Sequence, residues 1–382
     1  MPYCLVDSDT VRLFYEVYGD GPNKIVLIMG LAADHSRWEP QIEYFKRLPE
    51  FQVLAFDNRG VGHSTVPAAR YTTKRMAFDA YELLSHLGWD KVHIVGSSMG
   101  GMISQELTLL CPDRVLSLTL TSTSAGGVPA IPPIGLLVEM SFLGMKKRPE
   151  TKFQLLMKIL YPEWWLAQRC PLPETEESKG CVTNLDVMRK WFYEKELRHP
   201  QPSEVGLRNQ RWACTTHLVN KRRLLQLKHT NIPILLVAGD CDAVIRPTNT
   251  LYLSAILEAR TEIFIGGGHG LTVQFSDRYN KLLHSHFLSA VERSSKLQRS
   301  QALAGSTGAP NVVLLDADNS VGVVPQSFHP PSPMAGESLG ENAIFKIRPI
   351  HRGVGKIAAN ADDCECVTLE DELELRCNAE VD

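Results

Sequence analysis

The sequence predicts an α/β architecture, a mostly parallel sheet flanked by helices, and three observations carry that expectation. Short and largely apolar runs recur at Ile25-Val26-Leu27-Ile28-Met29, Val53-Leu54-Ala55-Phe56, Val92-His93-Ile94-Val95, Val115 to Leu120, Ile234 to Ala238 and Glu262 to Ile265. That is the pattern of strands covered on both faces. Amphipathic stretches lie between them: Met76, Ala80, Leu83, Leu84 and Leu87 fall on one helical stripe that Gly88 would stop. Composition agrees, since 382 residues with 44% hydrophobic and 22% charged side chains can bury a large core. A formal net charge of −3 makes nucleic acid an unexpected partner.

Taken in order, the chain opens with Met1-Pro2-Tyr3-Cys4-Leu5-Val6-Asp7, which lacks the basic and apolar regions of a secretory signal. Val11 to Val17 alternates as a half-buried strand does, and Gly19-Asp20-Gly21-Pro22 punctuates it as a turn. From Ser124 to Cys214 the strand and helix alternation gives way to proline-rich and aromatic segments, read as a helical insertion. The sheet pattern then resumes, and a closing helix is expected from Tyr279 to Val291. The chain thus divides into a first core part at 1–123, a helical lid at 124–215 placed after the sixth strand, a second core part at 216–293 and a tail at 294–382.

The tail is rich in Ser, Gly, Pro and Ala and ends in an acidic stretch around Glu370 to Glu374, so it is read as disordered. Val312 to Leu315 and Ala343 to Ile347 are apolar exceptions, read as tail residues; the tail as a whole is a candidate for binding a protein partner. No internal repeat is apparent. No apolar run approaches the ~18 residues of a spanning helix; the most apolar candidate, Ile131 to Met145, is broken by Pro132, Pro133 and Glu139. Nine cysteines, an odd number, together with the opening residues, lead to the expectation of a cytoplasmic protein with reduced thiols. Cys364-x-Cys366 with Cys377 does not fit the paired spacing of a structural zinc site, and no metal is expected. The basic runs Lys146-Lys147-Arg148 and Lys221-Arg222-Arg223 are read as solvated surface.

The chemistry centres on Gly96-Ser97-Ser98-Met99-Gly100, between a buried strand and a helix. A serine hydroxyl is a weak nucleophile unless it is exposed beside a base, and a sharp strand-to-helix turn exposes it. That turn crowds the backbone, so glycines two residues either side mark Ser98 rather than Ser97. A base must follow. His269 lies in Gly266-Gly267-Gly268-His269-Gly270, after the final predicted strand, where an imidazole could swing over the carboxyl edge of the sheet. His35, His63 and His93 precede Ser98, and His284 and His286 sit in a helix pointing in different directions. The orienting acid is sought after the preceding strand, where Gly239-Asp240-Cys241-Asp242 offers two carboxylates.

These segments, with Asp57-Asn58-Arg59-Gly60-Val61-Gly62-His63-Ser64, together resemble the α/β-hydrolase superfamily over roughly residues 10 to 292, in particular its small esterase, lactonase and C–C hydrolase members with a helical lid. The resemblance implies the α/β-hydrolase fold and assigns Asp242 as the triad acid, with Asp240 a loop residue. It also implies an oxyanion hole from the backbone N–H groups of Leu31 and Met99. Met29 stands where that family commonly has His before Gly30, which bears on loop geometry more than on backbone donors. Asp57 to Gly60 is expected to be a structural turn. Members with an aspartate nucleophile would show it at position 98, which is Ser98.

The expected activity is cofactor-free hydrolysis of an ester, lactone or thioester of a small or medium apolar acyl substrate through an acyl-enzyme. Two alternatives stand beside it: C–C bond hydrolysis or acyl transfer on the same triad, and a non-hydrolytic ligand-binding or signalling protein of the same fold. In the insertion, Trp164, Trp165 and the run Ile134 to Met145 are candidates either to roof a pocket or to form a small core of their own.

Overall fold

A computed structural model describes residues 2–323 apart from 9, 128–131, 134, 137–147, 171–181, 199, 201–202, 307–312 and 316–320. The cysteine cluster of the tail, its acidic end, the apolar run at 343–347, Lys146 and Lys147 and most of the run at 134–145 lie outside the described residues.

Eight strands form one sheet: β1 (Tyr3–Val6), β2 (Val11–Gly19), β3 (Asn23–Ile28), β4 (Phe51–Phe56), β5 (Val92–Ser97), β6 (Val115–Thr121), β7 (Ile234–Gly239) and β8 (Arg260–Phe264). Their spatial order is β1-β2-β4-β3-β5-β6-β7-β8. β1 and β2 pair antiparallel with each other, as do β2 and β4, and every later pairing is parallel. β1 was not anticipated. It is four residues long and is added to β2 by a turn in which Asp7 and Ser8 take φ of 60° and 53°, conformations that carry little sequence signal outside glycine.

The continuous apolar runs resolve into two faces because side chains alternate along a strand. Val26, Ile28, Leu54, Ile94, Leu118 and Leu236 face one layer, packed on α2 (Thr73–His86), α3 (Met99–Leu110), α8 (Lys221–Lys228) and α9 (Pro247–Leu257). Ile25, Leu27, Val53, Ala55, Val95 and Val237 face the other, covered by α1 (Glu39–Phe45) and the long α11 (Ser276–Ser306). The predicted stripe of α2 is buried, Thr72 caps its start by accepting from the Arg75 N–H, and Gly88 follows its end at φ 66°.

Between β6 and β7 lie α4 (Pro149–Leu160), α5 (Glu163–Ala167), α6 (Asn184–Arg198) and α7 (Glu204–Thr216). They hold a small core of their own around Phe153, Met157, Tyr161, Leu166, Met188 and Phe192.

Two expectations need correction. α11 runs to Ser306, past the boundary at 294 drawn from composition, and Val313–Leu315 pairs antiparallel with Val321–Val323 in a further two-stranded sheet. A regular helix ladder needs no apolar stripe to continue once nucleated, which composition does not register. Arg223, read as solvated, instead makes a bidentate pair with the buried Glu106 at 2.8 and 2.6 Å. Among the described residues, no helix is long and apolar enough to cross a membrane.

Four of the described histidines are buried, and in three of them, His93, His217 and His286, burial lowers the pKa. His93 Nδ1 meets Ser117 Oγ at 2.8 Å between β5 and β6, and its ring lies 4.6 Å from that of Phe287 on α11. Burial, helped by the nearby His286, pulls the pKa of His93 down to about 3. Burial likewise pulls His286 and His217 to about 4. Such groups stay neutral in the folded chain while the unfolded chain, titrating near ~6.5, takes up protons. The contribution of these three groups to stability is therefore level above about pH 6.5 and falls as pH drops from there toward 4, opposite in sign to that of His35, whose pKa, despite burial, its carboxylate neighbours raise. Urea midpoints across pH 7.5 to 4.5 check this, and His286→Leu is expected to flatten the decline.

Candidate active site

The site is built at the carboxyl ends of the central strands, where β5 turns into α3. Ser98 occupies that turn with φ 56° and ψ −121°, a conformation costly for any residue with a Cβ. Neighbouring bonds hold it there. The Ser98 N–H donates to the Thr121 carbonyl at 2.9 Å, and the Ser98 carbonyl accepts from Thr123 Oγ1 at 2.7 Å. Its flanking glycines are steric necessities. A Cβ at Gly100 would lie 1.9 Å from the Ile28 carbonyl oxygen, and one at Gly96 would lie 2.4 Å from that of Gly100. Gly30, on the loop after β3, brings that loop against the serine: a Cβ there would sit 3.0 Å from Ser98 Cβ.

The two carboxylates after β7 have separate duties. Asp242 is buried and its Oδ1 accepts the N–H groups of Val244 and Ile245, both at 2.9 Å. Its Oδ2 lies 2.8 Å from His269 Nδ1. Asp240 instead accepts the Gly266 N–H at 2.7 Å, stapling the loop that carries the histidine. Nδ1 of His269 thus faces a buried acid, leaving Nε2 as the other nitrogen able to exchange a proton.

The glycines around His269 serve packing more than ring mobility. The insertion presses on this loop: the Gly270 N–H donates to the Leu160 carbonyl at 2.9 Å, and a Cβ at Gly268 would lie 2.5 Å from the same oxygen. Trp164 stacks its ring edge on Gly266, where a Cβ would be 2.5 Å away, and remains 46% exposed. Trp165 joins the insertion core and stacks on Tyr161. Of the two tryptophans, Trp165 takes the core role foreseen for it, and Trp164 packs on the histidine loop. Tyr161 itself touches Gly270, and burial raises its phenol to about 12.

One buried apolar cluster joins the insertion to the site. Met102, on the first turn of α3 after Ser98, packs with Val244 and Ile245 beside Asp242, and with Leu155, Ile159 and Leu160 of α4. This wall is hydrocarbon and thioether.

The Asp57 to Gly60 turn is a buried hub. Asp57 accepts from the backbone N–H groups of His35 and His63, both at 2.8 Å, and lies 2.7 Å from His35 Nδ1. Asn58 Nδ2 donates to the Met29 carbonyl at 2.9 Å, fixing the loop beside Ser98. Among the described residues, Asp34, His35 and Asp57 are the one set whose ligand atoms lie close enough to share a metal ion. Both nitrogens of His35 already face carboxylates, Asp57 and Glu16, so the set is accounted for as a hydrogen-bonded hub.

Sequence reasoning missed the residues that hold these loops from behind. Gln274 accepts the Gly268 N–H at 2.8 Å and donates to the Gly266 carbonyl at 2.7 Å. Gln210, on α7, accepts the Ala32 N–H and donates to the Arg59 carbonyl, both at 2.9 Å. A lone glutamine carries no motif, and Gln210 meets partners 178 and 151 positions away.

Comparison with known proteins agrees with this architecture. Residues 23–149 match a protein family described as the alpha/beta hydrolase fold. A protein of Azorhizobium caulinodans provisionally named carbamate hydrolase RutD is 26% identical over 285 residues, covering 74% of this chain and 97% of its own. The 3-oxoadipate enol-lactonase 2 of Acinetobacter baylyi is 30% identical over 119 residues, covering 31% of this chain and 44% of its own. Among solved structures, the enol-lactonase of Burkholderia xenovorans LB400 shares the fold with a TM-score of 0.59 at 20% identity, covering 75% of this chain and all of that one. The chain has the α/β-hydrolase fold.

Because the Leu160 carbonyl lies so close to Gly268, Gly268→Ala is expected to cost about 1–3 kcal/mol of stability by overpacking. Chemical denaturation checks this, and an unchanged midpoint would show that the insertion does not press on the histidine loop.

Proposed function

We propose that the chain is a serine hydrolase that cleaves a carboxylic ester, lactone or thioester of a small or medium apolar acyl substrate. The observation that carries this reading is the bond between Asp242 and His269 Nδ1, at the same sheet edge as the strained Ser98 turn. In this reading Ser98 Oγ attacks the carbonyl carbon while His269 takes its proton. The carbonyl oxygen becomes an oxyanion held by the N–H groups of Leu31 and Met99. His269 then protonates the departing alkoxide or thiolate, leaving an acyl-enzyme. Water, deprotonated by the same imidazole, attacks the acyl carbon, and release of the acid returns the proton to Ser98. Asp242 orients the ring and stabilises its cationic form throughout.

The hydrocarbon wall formed by Met102, Val244, Ile245 and Ile159 favours an apolar acyl group beside the reacting carbon. The kinship with proteins named for carbamate and enol-lactone hydrolysis supports hydrolytic chemistry and leaves the acyl group to be measured.

Ser98→Ala is expected to fold with an unchanged denaturation midpoint and to lose all fluorophosphonate labelling; retained labelling would identify another nucleophile. Asp242→Asn should lower turnover by about 10⁴-fold, as expected when the imidazole loses its oriented tautomer. Across p-nitrophenyl esters from acetate to decanoate, kcat/KM should rise with chain length before declining. A profile that falls steadily from acetate would argue against the apolar wall as the acyl site.

A further inference from the structure

Resting on the hydrolase reading, we propose that Gln210, contributed by the insertion rather than by the sheet, is a positioning residue for the oxyanion loop. The loop Met29 to Ala32 lies directly against Ser98, with the Cβ distance at Gly30 leaving no slack. Its geometry is not self-supporting. Ala32 sits at φ 60°, a left-handed conformation that a residue with a Cβ adopts only when its surroundings impose it. The Ala32 N–H points at Gln210 Oε1, 2.9 Å away, and Gln210 Nε2 is anchored in turn on the Arg59 carbonyl at 2.9 Å. The side chain is wholly buried, so water cannot replace either bond.

The peptide planes on either side of the Gly30–Leu31 peptide fix where the Leu31 N–H points. Asn58 holds the plane before Gly30 through the Met29 carbonyl. Gln210 holds the plane that joins Leu31 to Ala32. The donor of Leu31 lies between these two clamps, one from the turn after β4 and one from α7. The helix that bears Gln210 is itself seated on that turn: a Cβ at Gly206, one turn earlier, would fall 2.0 Å from the Gly60 carbonyl oxygen. Any shift of α7 is thereby transmitted to the loop beside Ser98. The insertion then supplies part of the preorganisation of the oxyanion donors as well as the wall that meets the acyl group.

Gln210→Met keeps the volume and removes both hydrogen bonds, and Gln210→Asn keeps the carboxamide but retracts it by one methylene. Both are expected to lower kcat by between ~10-fold and ~100-fold, below the ~10²–10³ of a donor lost outright. An alkylboronic acid, which forms a tetrahedral adduct on the serine, should lose affinity in parallel. The carboxylate product and KM should change by less than about threefold, because ground-state contacts are untouched. Gln210→Glu should retain most of the activity, since the neutral acid in this buried position can accept from Ala32 and donate to the Arg59 carbonyl. If Gln210→Met yields no folded protein, Gln210→Asn against Gln210→Glu decides the matter. The inference is overturned if turnover changes less than threefold in the folded variants, if product and boronate affinities fall equally, or if the glutamate variant is as impaired as the asparagine one. Wild type that resists fluorophosphonate labelling would refute the hydrolase reading instead, whereas a wild type that labels beside unaffected Gln210 variants refutes only this inference.

Discussion

The crowding at the turn from β5 into α3 is the constraint on which the rest of the structure depends. Ser98 is held in a backbone conformation that costs of the order of 1–3 kcal/mol, and it persists because β3 with its following loop and the end of β6 close around it. Gly96, Gly100 and Gly30 are positions of closest approach, and a methyl group at any of them would collide with or crowd the backbone or Ser98 itself. The hydrophobic burial of the central strands supplies the free energy that holds this arrangement. The same turn sets Ser98 at the carboxyl end of β5.

A second level of organisation follows from the same edge. Parallel strands bring the loops after β3, β5, β7 and β8 to one end of the sheet, which is where ligands bind in open α/β sheets. Each loop is irregular and carries backbone donors and acceptors that helix or sheet ladders do not use. Buried carboxamides and carboxylates take up that role: Asp57 for the turn after β4, Asp240 and Gln274 for the histidine loop, Gln210 for the loop after β3. These bonds are individually modest but lie where water is excluded, so losing one partner leaves the other unsatisfied. The site is held from behind by polar side chains and faced in front by an apolar wall.

The insertion is joined to this frame by more than a covalent connection. Its Leu160 carbonyl, Trp164 and Tyr161 rest on the glycines of the histidine loop, and Ile159 reaches Met102 one turn after Ser98. α7 closes the other side through Gly206 and Gln210. The same segment thus touches both the histidine loop and the loop after β3.

Much of this could be read from one dimension. The strands from Val11 to Phe264 announced themselves because a strand covered on both faces must be apolar throughout, and the α2 stripe because a half-covered helix must repeat every three to four residues. Ser98, His269 and the pair Asp240 and Asp242 stood out as candidates because glycines mark close approaches wherever they occur. The residues alone left two aspartates open and the family resemblance pointed to Asp242; the tertiary fold puts Asp242 beside Nδ1 and Asp240 beside a backbone N–H. The same holds for Gln210 and Arg223, ordinary polar residues in sequence that become fixed partners once burial removes water as a competitor. Local chemistry thus marked which residues are candidates to react, and long-range packing decided which polar groups hold them, because a hydrogen bond gains its directing force only where the fold has excluded solvent.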